Sequence, residues 1–340
     1  MRLAALAAGG LIFIFTVNKL GGFPMVMRNL AAVGGWAYAA VLFNSWLWVF
    51  FYTNAWRVLI QLTHAVRFGP LHRIKICGEA INFMTPLGFV GGDPVRVILL
   101  QRYLTGKSHL SSVVIDRLLQ IMSAQLFCFL GLVLALFIDV GIPSWMILVF
   151  MIFYLTLFSF LSWFLFSLFR GKGQSVFDAI FESFNMRQYM PGVVAYVEEL
   201  RVDLALYSGH SAEPFLRAFL WHFSGRILGA VEITVIIHAL DGRWLLGMAI
   251  VLTSLTSLAA TVFGVIPGAL GAMEAFYAKF FELNGLSPEI GLSVQIVRRM
   301  RTAFWILLGM LLIDVGQVRE AIKKSRRKPI ASEDISTDVP

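Results

Sequence analysis

Long apolar runs, most of them about the length needed to cross a bilayer, recur along the chain. A hydrocarbon core about 30 Å thick requires about 20 apolar residues of helix. The pattern predicts about six full spans: Leu3–Val17, Gly34–Trp56, Leu118–Ile138, Val140–Phe169, Phe215–Leu240, and a last span that begins near Ile290 and includes Ala303–Val315. The hydrophobic pattern therefore predicts an all-α, polytopic bundle of membrane helices.

Composition supports a membrane protein and excludes several other classes. Of the 340 residues, 58% are hydrophobic and only 14% are charged, whereas soluble domains carry about 25% charged residues. A disordered chain, a disulfide-rich secreted module and a nucleic-acid-binding protein are all excluded. The net charge of +8 fits loops that face anionic lipid. We expect Cys77 and Cys128 to be buried free thiols, and we expect no metal site and no cofactor.

Basic residues predict the topology, because cytoplasmic connections are enriched in Lys and Arg. The stretches Arg57–Lys75, Arg102–Lys107 and Arg319–Lys328 are basic, whereas the connection 139–144 has no basic residue. Both termini are predicted to be cytoplasmic. The predicted organisation is an integral membrane domain over 1–316, containing a cytoplasmic amphipathic insert at 170–213, followed by a basic tail at 317–340 that ends in disorder.

Two Pro-Gly breaks interrupt apolar sequence, one in each half of the chain. Each has a proline, a glycine within two residues, a further glycine, and a carboxylate seven residues after the proline. The first break contains Pro86, Gly88, Gly91, Gly92 and Asp93, and the second contains Pro267, Gly268, Gly271 and Glu274. Irregular backbone at membrane depth is tolerated only where protein or water covers it. Paired breaks of this kind indicate a transporter site built from discontinuous helices.

The charge pattern predicts that each break is the tip of a re-entrant hairpin. The first lies between two basic stretches assigned to the cytoplasm, and the second lies between an outward loop and the final span. The two hairpins would then enter from opposite faces as an inverted repeat. Two full crossings over 244–297 give the same end points and remain an alternative. Helix capping is a second, local explanation of Asp93 and Glu274.

Several charged residues lie within the predicted spans, where each costs about 2.5–3.5 kcal/mol on insertion scales. They either snorkel to an interface or face the interior and meet Asp93, Glu274 or an anionic ligand. Arginine suits phosphate because its planar fork binds two oxygens. The candidate headgroup-binding residues are Arg96, Asp116, Arg117, Arg226, Arg298, Arg299 and Arg301. No nucleophile motif, phosphate-binding loop or zinc-protease motif is present, so no catalytic residue is predicted.

The order of these motifs resembles the transmembrane region of lysylphosphatidylglycerol synthases and their flippase-like relatives, which include YbhN-like and hopanoid-associated bacterial membrane proteins. The resemblance rests on the Asn82–Arg96 stretch, Asp116-Arg117, the Pro267–Glu274 turn and the arginines before the last span. It covers about Gly34 to Gly316. Asp93 and Asp116 stand where the family commonly has Glu, and Ala269 and Ala272 replace glycines often found in the second turn.

The resemblance implies a protein of the bacterial cytoplasmic (inner) membrane that moves or binds an anionic or zwitterionic lipid, either a phospholipid or an isoprenoid-linked lipid. The soluble aminoacyltransferase domain of the full synthases does not follow the spans, so we expect no synthase activity. One alternative is an accessory subunit that binds a lipid-synthesis enzyme through the 170–213 insert. Another is a membrane-embedded lipid-modifying enzyme.

Overall fold

The computed structural model describes residues 22–85, 91–101, 109–169, 210–263 and 269–313, together with residues 18, 103, 207 and 316. These residues form helices and connections and contain no strand. The helices are α1 Gly22–Ile60, α2 Phe68–Met84, α3 Gly92–Leu100, α4 His109–Ala135, α5 Ser144–Phe169, α6 Glu213–Asp241, α7 Leu246–Val262, α8 Ala272–Leu283 and α9 Pro288–Leu312. The predicted all-α class is confirmed.

Four helices of the described part are long and apolar enough to cross a membrane. They contain the segments Met27–Ile60, Leu110–Ala135, Ser144–Phe166 and Glu213–Asp241. Each overlaps a predicted span, which is consistent with a helical membrane protein. The predicted span Leu3–Val17 lies outside the described residues, as do most of the 170–213 insert and the tail from 317 onward.

Short helices flank both Pro-Gly breaks. Helices α2 and α3 have 17 and 9 residues, and α7 and α8 have 17 and 12. At 1.5 Å per residue, α3 and α8 are about 14 Å and 18 Å long, which is less than the thickness of a bilayer core. The tips of the breaks, with Pro86, Gly88, Pro267 and Gly268, lie outside the described residues.

Helix α3 folds back against α2 in an antiparallel arrangement. Gly92 of α3 donates its backbone N–H to Asn82 Oδ1 at 2.8 Å, and Gly78, one turn earlier on α2, faces Arg96. The contact is close: a Cβ on Gly92 would lie 1.9 Å from the Gly78 carbonyl oxygen. Glycine is therefore required where the two helices meet.

Helix α9 packs against helices from both halves of the chain. A Cβ on Gly309 would lie 2.3 Å from Ala80 Cβ on α2, and a Cβ on Gly291 would lie 2.5 Å from the Tyr277 carbonyl oxygen on α8. Arg73 donates two hydrogen bonds to the Leu312 carbonyl, at 2.9 and 2.7 Å. The last helix therefore joins the two elements that flank the breaks.

Helix α5 lies at the edge of the bundle, and about half of its described side chains are exposed. Trp145 is 66% exposed and Ile152 is 65% exposed, and Phe160 and Trp163 on the same helix are also exposed. A continuous apolar surface of this kind is stable only against lipid or another protein. By contrast, α6 occupies the interior and packs against α1, α4, α7 and α9.

Three local details differ from the sequence-based expectations. Helix α4 begins at His109 rather than Leu118, so Asp116 and Arg117 lie within the helix. Lys75, expected in a basic cytoplasmic stretch, is fully buried on α2. Helix α3 begins at Gly92, which places Asp93 in its first turn and not at its N-cap. The buried free state expected for Cys77 and Cys128 is confirmed.

Candidate site of buried ion pairs

Asp116 on α4 is the centre of a buried ionic network. Its Oδ2 atom accepts hydrogen bonds from Lys75 Nζ at 2.9 Å and from Arg96 Nη2 at 2.6 Å. Its Oδ1 atom lies 2.9 Å from His222 Nε2 on α6. All four side chains have no exposed surface. One carboxylate therefore joins helices α2, α3, α4 and α6.

A second carboxylate ties α3 to α4. Arg117 donates from Nε and Nη2 to the two oxygens of Asp93, both at 2.8 Å, and Arg96 Nη1 donates to Asp93 Oδ1 at 3.0 Å. Two parallel hydrogen bonds from one guanidinium fix the geometry as well as the charge. Glu79 lies 3.8 Å from Lys75. We call these residues the Asp116 cluster: Lys75, Glu79, Asp93, Arg96, Asp116, Arg117 and His222.

Aromatic rings lie over two of the cations of the Asp116 cluster. The Arg96 guanidinium carbon lies 4.0 Å from the centre of the Trp56 ring, and Lys75 Nζ lies 5.6 Å from the Tyr52 ring. A cation over an aromatic face gains stability once it is removed from water. Gly78 leaves room for Arg96, because a Cβ there would lie 2.5 Å from Arg96 Cγ.

A second group of ion pairs joins α6, α8 and α9. Glu232 on α6 accepts from Arg298 Nε at 3.2 Å and from Arg301 Nη1 at 2.6 Å. Arg298 also donates to Tyr277 Oη. Because Arg298 and Arg301 are three residues apart on α9, both reach the same carboxylate.

Glu274 on α8 makes the other ion pair of this group. Arg299 donates to both of its oxygens and also to the Ala269 carbonyl at 3.2 Å. Glu274 Oε2 accepts the Gly271 N–H at 2.8 Å, and Gly271 has the positive φ of 77° that favours glycine. Glu274 is thus both a helix cap and an ion-pair partner. The Glu232 cluster comprises Glu232, Glu274, Arg298, Arg299 and Arg301.

Arg226 and two aromatic residues lie between the clusters. Trp48 and Tyr52 are neighbours on α1, with ring centres 5.2 Å apart. The Arg226 guanidinium carbon lies 6.0 Å from the Tyr52 ring, and that of Arg301 lies 5.8 Å from the Trp48 ring. From His222 to Glu232 is ten residues of α6, or about 15 Å. The clusters therefore lie at different depths along this helix.

Several buried polar atoms near the Asp116 cluster have no hydrogen-bond partner within the described part of the chain. They are Asn82 Nδ2, Arg96 Nε, His222 Nδ1 and Arg226 Nε. Buried polar groups normally bond to protein or to ordered water. Their concentration in one place indicates an interior that contains water or a polar ligand.

Most of the predicted site residues that the structure describes fall into two clusters. Arg96, Asp116, Arg117 and Asp93 meet in the Asp116 cluster, and Arg298, Arg299, Arg301 and Glu274 meet in the Glu232 cluster. Arg226 stands between the two. Gly91, Gly92 and Gly271 lie next to the breaks, at the start of α3 and of α8.

Four important residues were not among the predicted site residues: Lys75, Glu79, His222 and Glu232. Glu232 had a recognisable signal, since it is a lone carboxylate within an apolar span. Lys75 and Glu79 are spaced i, i+4, which places them on one helix face. Within the described residues, no group of three His, Cys, Asp or Glu side chains is arranged to hold a metal ion.

These features define a polytopic helical membrane protein with two ion-pair clusters, one beside each Pro-Gly break. Residues 2–309 match the family described as lysylphosphatidylglycerol synthase TM region, and the chain belongs to this family. It is also similar to a UPF0104 membrane protein of Pyrococcus horikoshii, with 27% identity over 257 residues. That match covers 69% of this chain and 73% of the relative.

Proposed function

We propose that this protein is a flippase-like lipid transporter of the bacterial inner membrane, which moves a lipid headgroup past α6 without chemical change. The observation that carries the proposal is the arrangement along α6. The two clusters of ion pairs contact α6 at His222 and Glu232, about 15 Å apart, and Arg226 lies between these two positions. Each cluster also includes a residue of a short helix beside a break. A polar headgroup needs such intermediate polar contacts, because entering the hydrocarbon core of the bilayer without them is energetically costly.

The short helices support a re-entrant arrangement of the two breaks. Neither α3, with 9 residues, nor α8, with 12, reaches across a bilayer core. In this proposal each hairpin enters the membrane and returns to the same side, with both termini of the chain in the cytoplasm. The unpartnered polar atoms around the Asp116 cluster fit an interior that is hydrated between the hairpins.

The two clusters have different roles in this proposal. Arg96 and Asp116 have no exposed surface and bond to each other, so they hold the first hairpin in place. The arginines of the Glu232 cluster keep part of their surface exposed. These arginines and Arg226 are the groups that contact the headgroup.

Arg298→Ala tests the proposal with purified protein in proteoliposomes. We expect transbilayer movement of a fluorescent phospholipid to fall by about tenfold or more, because a charge-assisted hydrogen bond contributes about 1.5–3 kcal/mol. The variant should remain folded, because Glu232 keeps its contact with Arg301.

The matched control is Lys279→Ala, which removes an exposed cation from α8 and should leave the rate unchanged. The readout is the loss of fluorescence when an impermeant reductant reaches newly exposed label. Equal rates in wild-type vesicles and protein-free vesicles would refute transport. Equal rates in wild type and Arg298→Ala would refute the role of the Glu232 cluster.

A further inference from the structure

The balance of charge in the two clusters favours a negatively charged headgroup. Together with Arg226, the clusters contain seven cationic residues and five carboxylates. The cations are Lys75, Arg96, Arg117, Arg226, Arg298, Arg299 and Arg301. The carboxylates are Glu79, Asp93, Asp116, Glu232 and Glu274. Cations exceed carboxylates by two, with His222 taken as neutral.

Every carboxylate of the two clusters already has a cationic partner within the described residues. The pairs are Glu79 with Lys75, Asp93 with Arg96 and Arg117, Asp116 with Lys75 and Arg96, Glu232 with Arg298 and Arg301, and Glu274 with Arg299. A cationic headgroup would have to displace one of these partners from a buried carboxylate. Removing one partner of a buried ion pair is strongly unfavourable, because it leaves an uncompensated buried charge.

The Glu232 cluster turns its positive groups outward. The side chains of Glu232 and Glu274 are 1% and 0% exposed, whereas those of Arg298 and Arg299 are 19% and 29% exposed. A ligand that approaches this cluster therefore meets guanidinium groups before it meets a carboxylate. Phosphate oxygens fit such groups because the planar fork offers parallel N–H donors.

Arg226 has no carboxylate within salt-bridge distance among the described residues. Its Nε atom is buried without a hydrogen-bond partner in the described part of the chain, and its guanidinium carbon lies 6.0 Å from the centre of the Tyr52 ring. His222, one turn away, already contacts Asp116. A cation held at membrane depth without a counter-ion is costly, and an incoming phosphate would offset that cost.

We propose that the interior selects a lipid phosphate of net negative charge and excludes headgroups whose added amines make them net positive. This inference rests on the proposed lipid transport and specifies its substrate class. It excludes an aminoacylated lipid such as lysylphosphatidylglycerol, the lipid whose synthase gives the family its name.

Proteoliposome transport with three labelled lipids tests the inference. The lipids are phosphatidylglycerol, phosphatidylethanolamine and lysylphosphatidylglycerol, each with the same fluorescent acyl chain. We expect phosphatidylglycerol to move about tenfold faster than lysylphosphatidylglycerol. A tenfold ratio is the size expected if one charged contact favours the first lipid over the second. Equal rates for all three would overturn the charge selection while leaving transport intact. Movement of none of them would contradict the proposed function itself.

A binding measurement tests the contribution of Arg226 to lipid preference independently of transport. Native mass spectrometry of the full chain in detergent should show phosphatidylglycerol retained in preference to lysylphosphatidylglycerol. Arg226→Gln should reduce that preference by about tenfold. The control Arg217→Gln, on the exposed end of the same helix, should preserve it. A preference unchanged in Arg226→Gln would overturn the assignment.

The same binding assay distinguishes a lipid phosphate from the free ion. Excess inorganic phosphate should leave the lipid preference intact, because the acyl chains contribute to retention of the lipid. Complete displacement of phosphatidylglycerol by inorganic phosphate would show that the free anion is the ligand, and it would overturn the proposal.

Discussion

Asp116 shares one carboxylate among Lys75, Arg96 and His222, which come from three other helices. Asp116→Asn would leave Lys75 and Arg96 buried with less compensating negative charge. We expect the free energy of unfolding to fall by about 3–5 kcal/mol. Thermal unfolding in detergent, followed by circular dichroism, measures the change as a lower melting temperature.

Glu282→Gln is the control for this prediction. Glu282 is exposed on α8, and among the described residues its salt-bridge partner is the exposed Lys279, so the substitution should change stability by less than about 0.5 kcal/mol. If Asp116→Asn unfolded at the same temperature as Glu282→Gln, the Asp116 cluster would contribute nothing to the stability of the bundle.

Sequence patterns identified many of these residues but not all of their partners. The pairs Asp93–Arg117 and Glu274–Arg299 join charges that already stood out beside a break or within a span. Glu232 remained unassigned because its arginines lie 66 and 69 positions away. Only the packing of α9 against α6 and α8 brings them together, and helical periodicity does not specify which helices are neighbours.

At the scale of elements, the contact of α2 with α3 depends on the absence of a side chain at Gly92. Gly92→Ala would place a methyl group 1.9 Å from the Gly78 carbonyl oxygen, so the two helices must separate. That shift would also strain the contact of Arg96 with Asp116. We expect a lower melting temperature and, in the proteoliposome assay, a slower lipid transport rate.

Gly69→Ala provides the matched comparison for Gly92→Ala. Gly69 lies in the first turn of α2, and nothing lies within 4 Å of the added Cβ. The substitution should be neutral or stabilise the helix by up to about 1 kcal/mol. Equal melting temperatures for the two variants would argue against the close approach of α2 and α3.

The helix boundaries show what hydrophobic patterning misses. A predicted span began at Leu118 because Asp116 and Arg117 interrupt the apolar run, yet α4 continues back to His109. Paired charges do not end a helix when both side chains are neutralised by neighbours. The same reasoning explains Lys75, whose charge suggested a cytoplasmic connection although it is buried beside Asp116.

For the whole molecule, cysteine labelling distinguishes re-entrant hairpins from full crossings. Single cysteines at Arg67, Thr85 and Tyr103 mark the start of the proposed first hairpin, the residue before its break, and its end. If it is re-entrant, Arg67→Cys and Tyr103→Cys should react with an impermeant maleimide only in inside-out vesicles. Thr85→Cys should not react from the external face. Cys77 and Cys128 are buried and should give little background.

Labelling of Thr85→Cys from the external face would instead show two full crossings at this position. The corresponding variants of the second break are Trp244→Cys, Leu270→Cys and Ser287→Cys. The inverted repeat predicts the opposite sidedness for them. Identical sidedness for both sets would rule out an inverted arrangement while leaving the ion-pair clusters unaffected.

Arg226 and Glu232 are six residues apart on α6, or about 9 Å, and in the proposed transport this separation bears on which molecules cross quickly. A small polar group would leave the arginines of the Glu232 cluster before it reached Arg226. A long one, such as a diphosphate bearing sugars, would contact Arg226 and the Glu232 cluster at once and dissociate slowly. Turnover should therefore decline as the polar part lengthens, even while affinity rises.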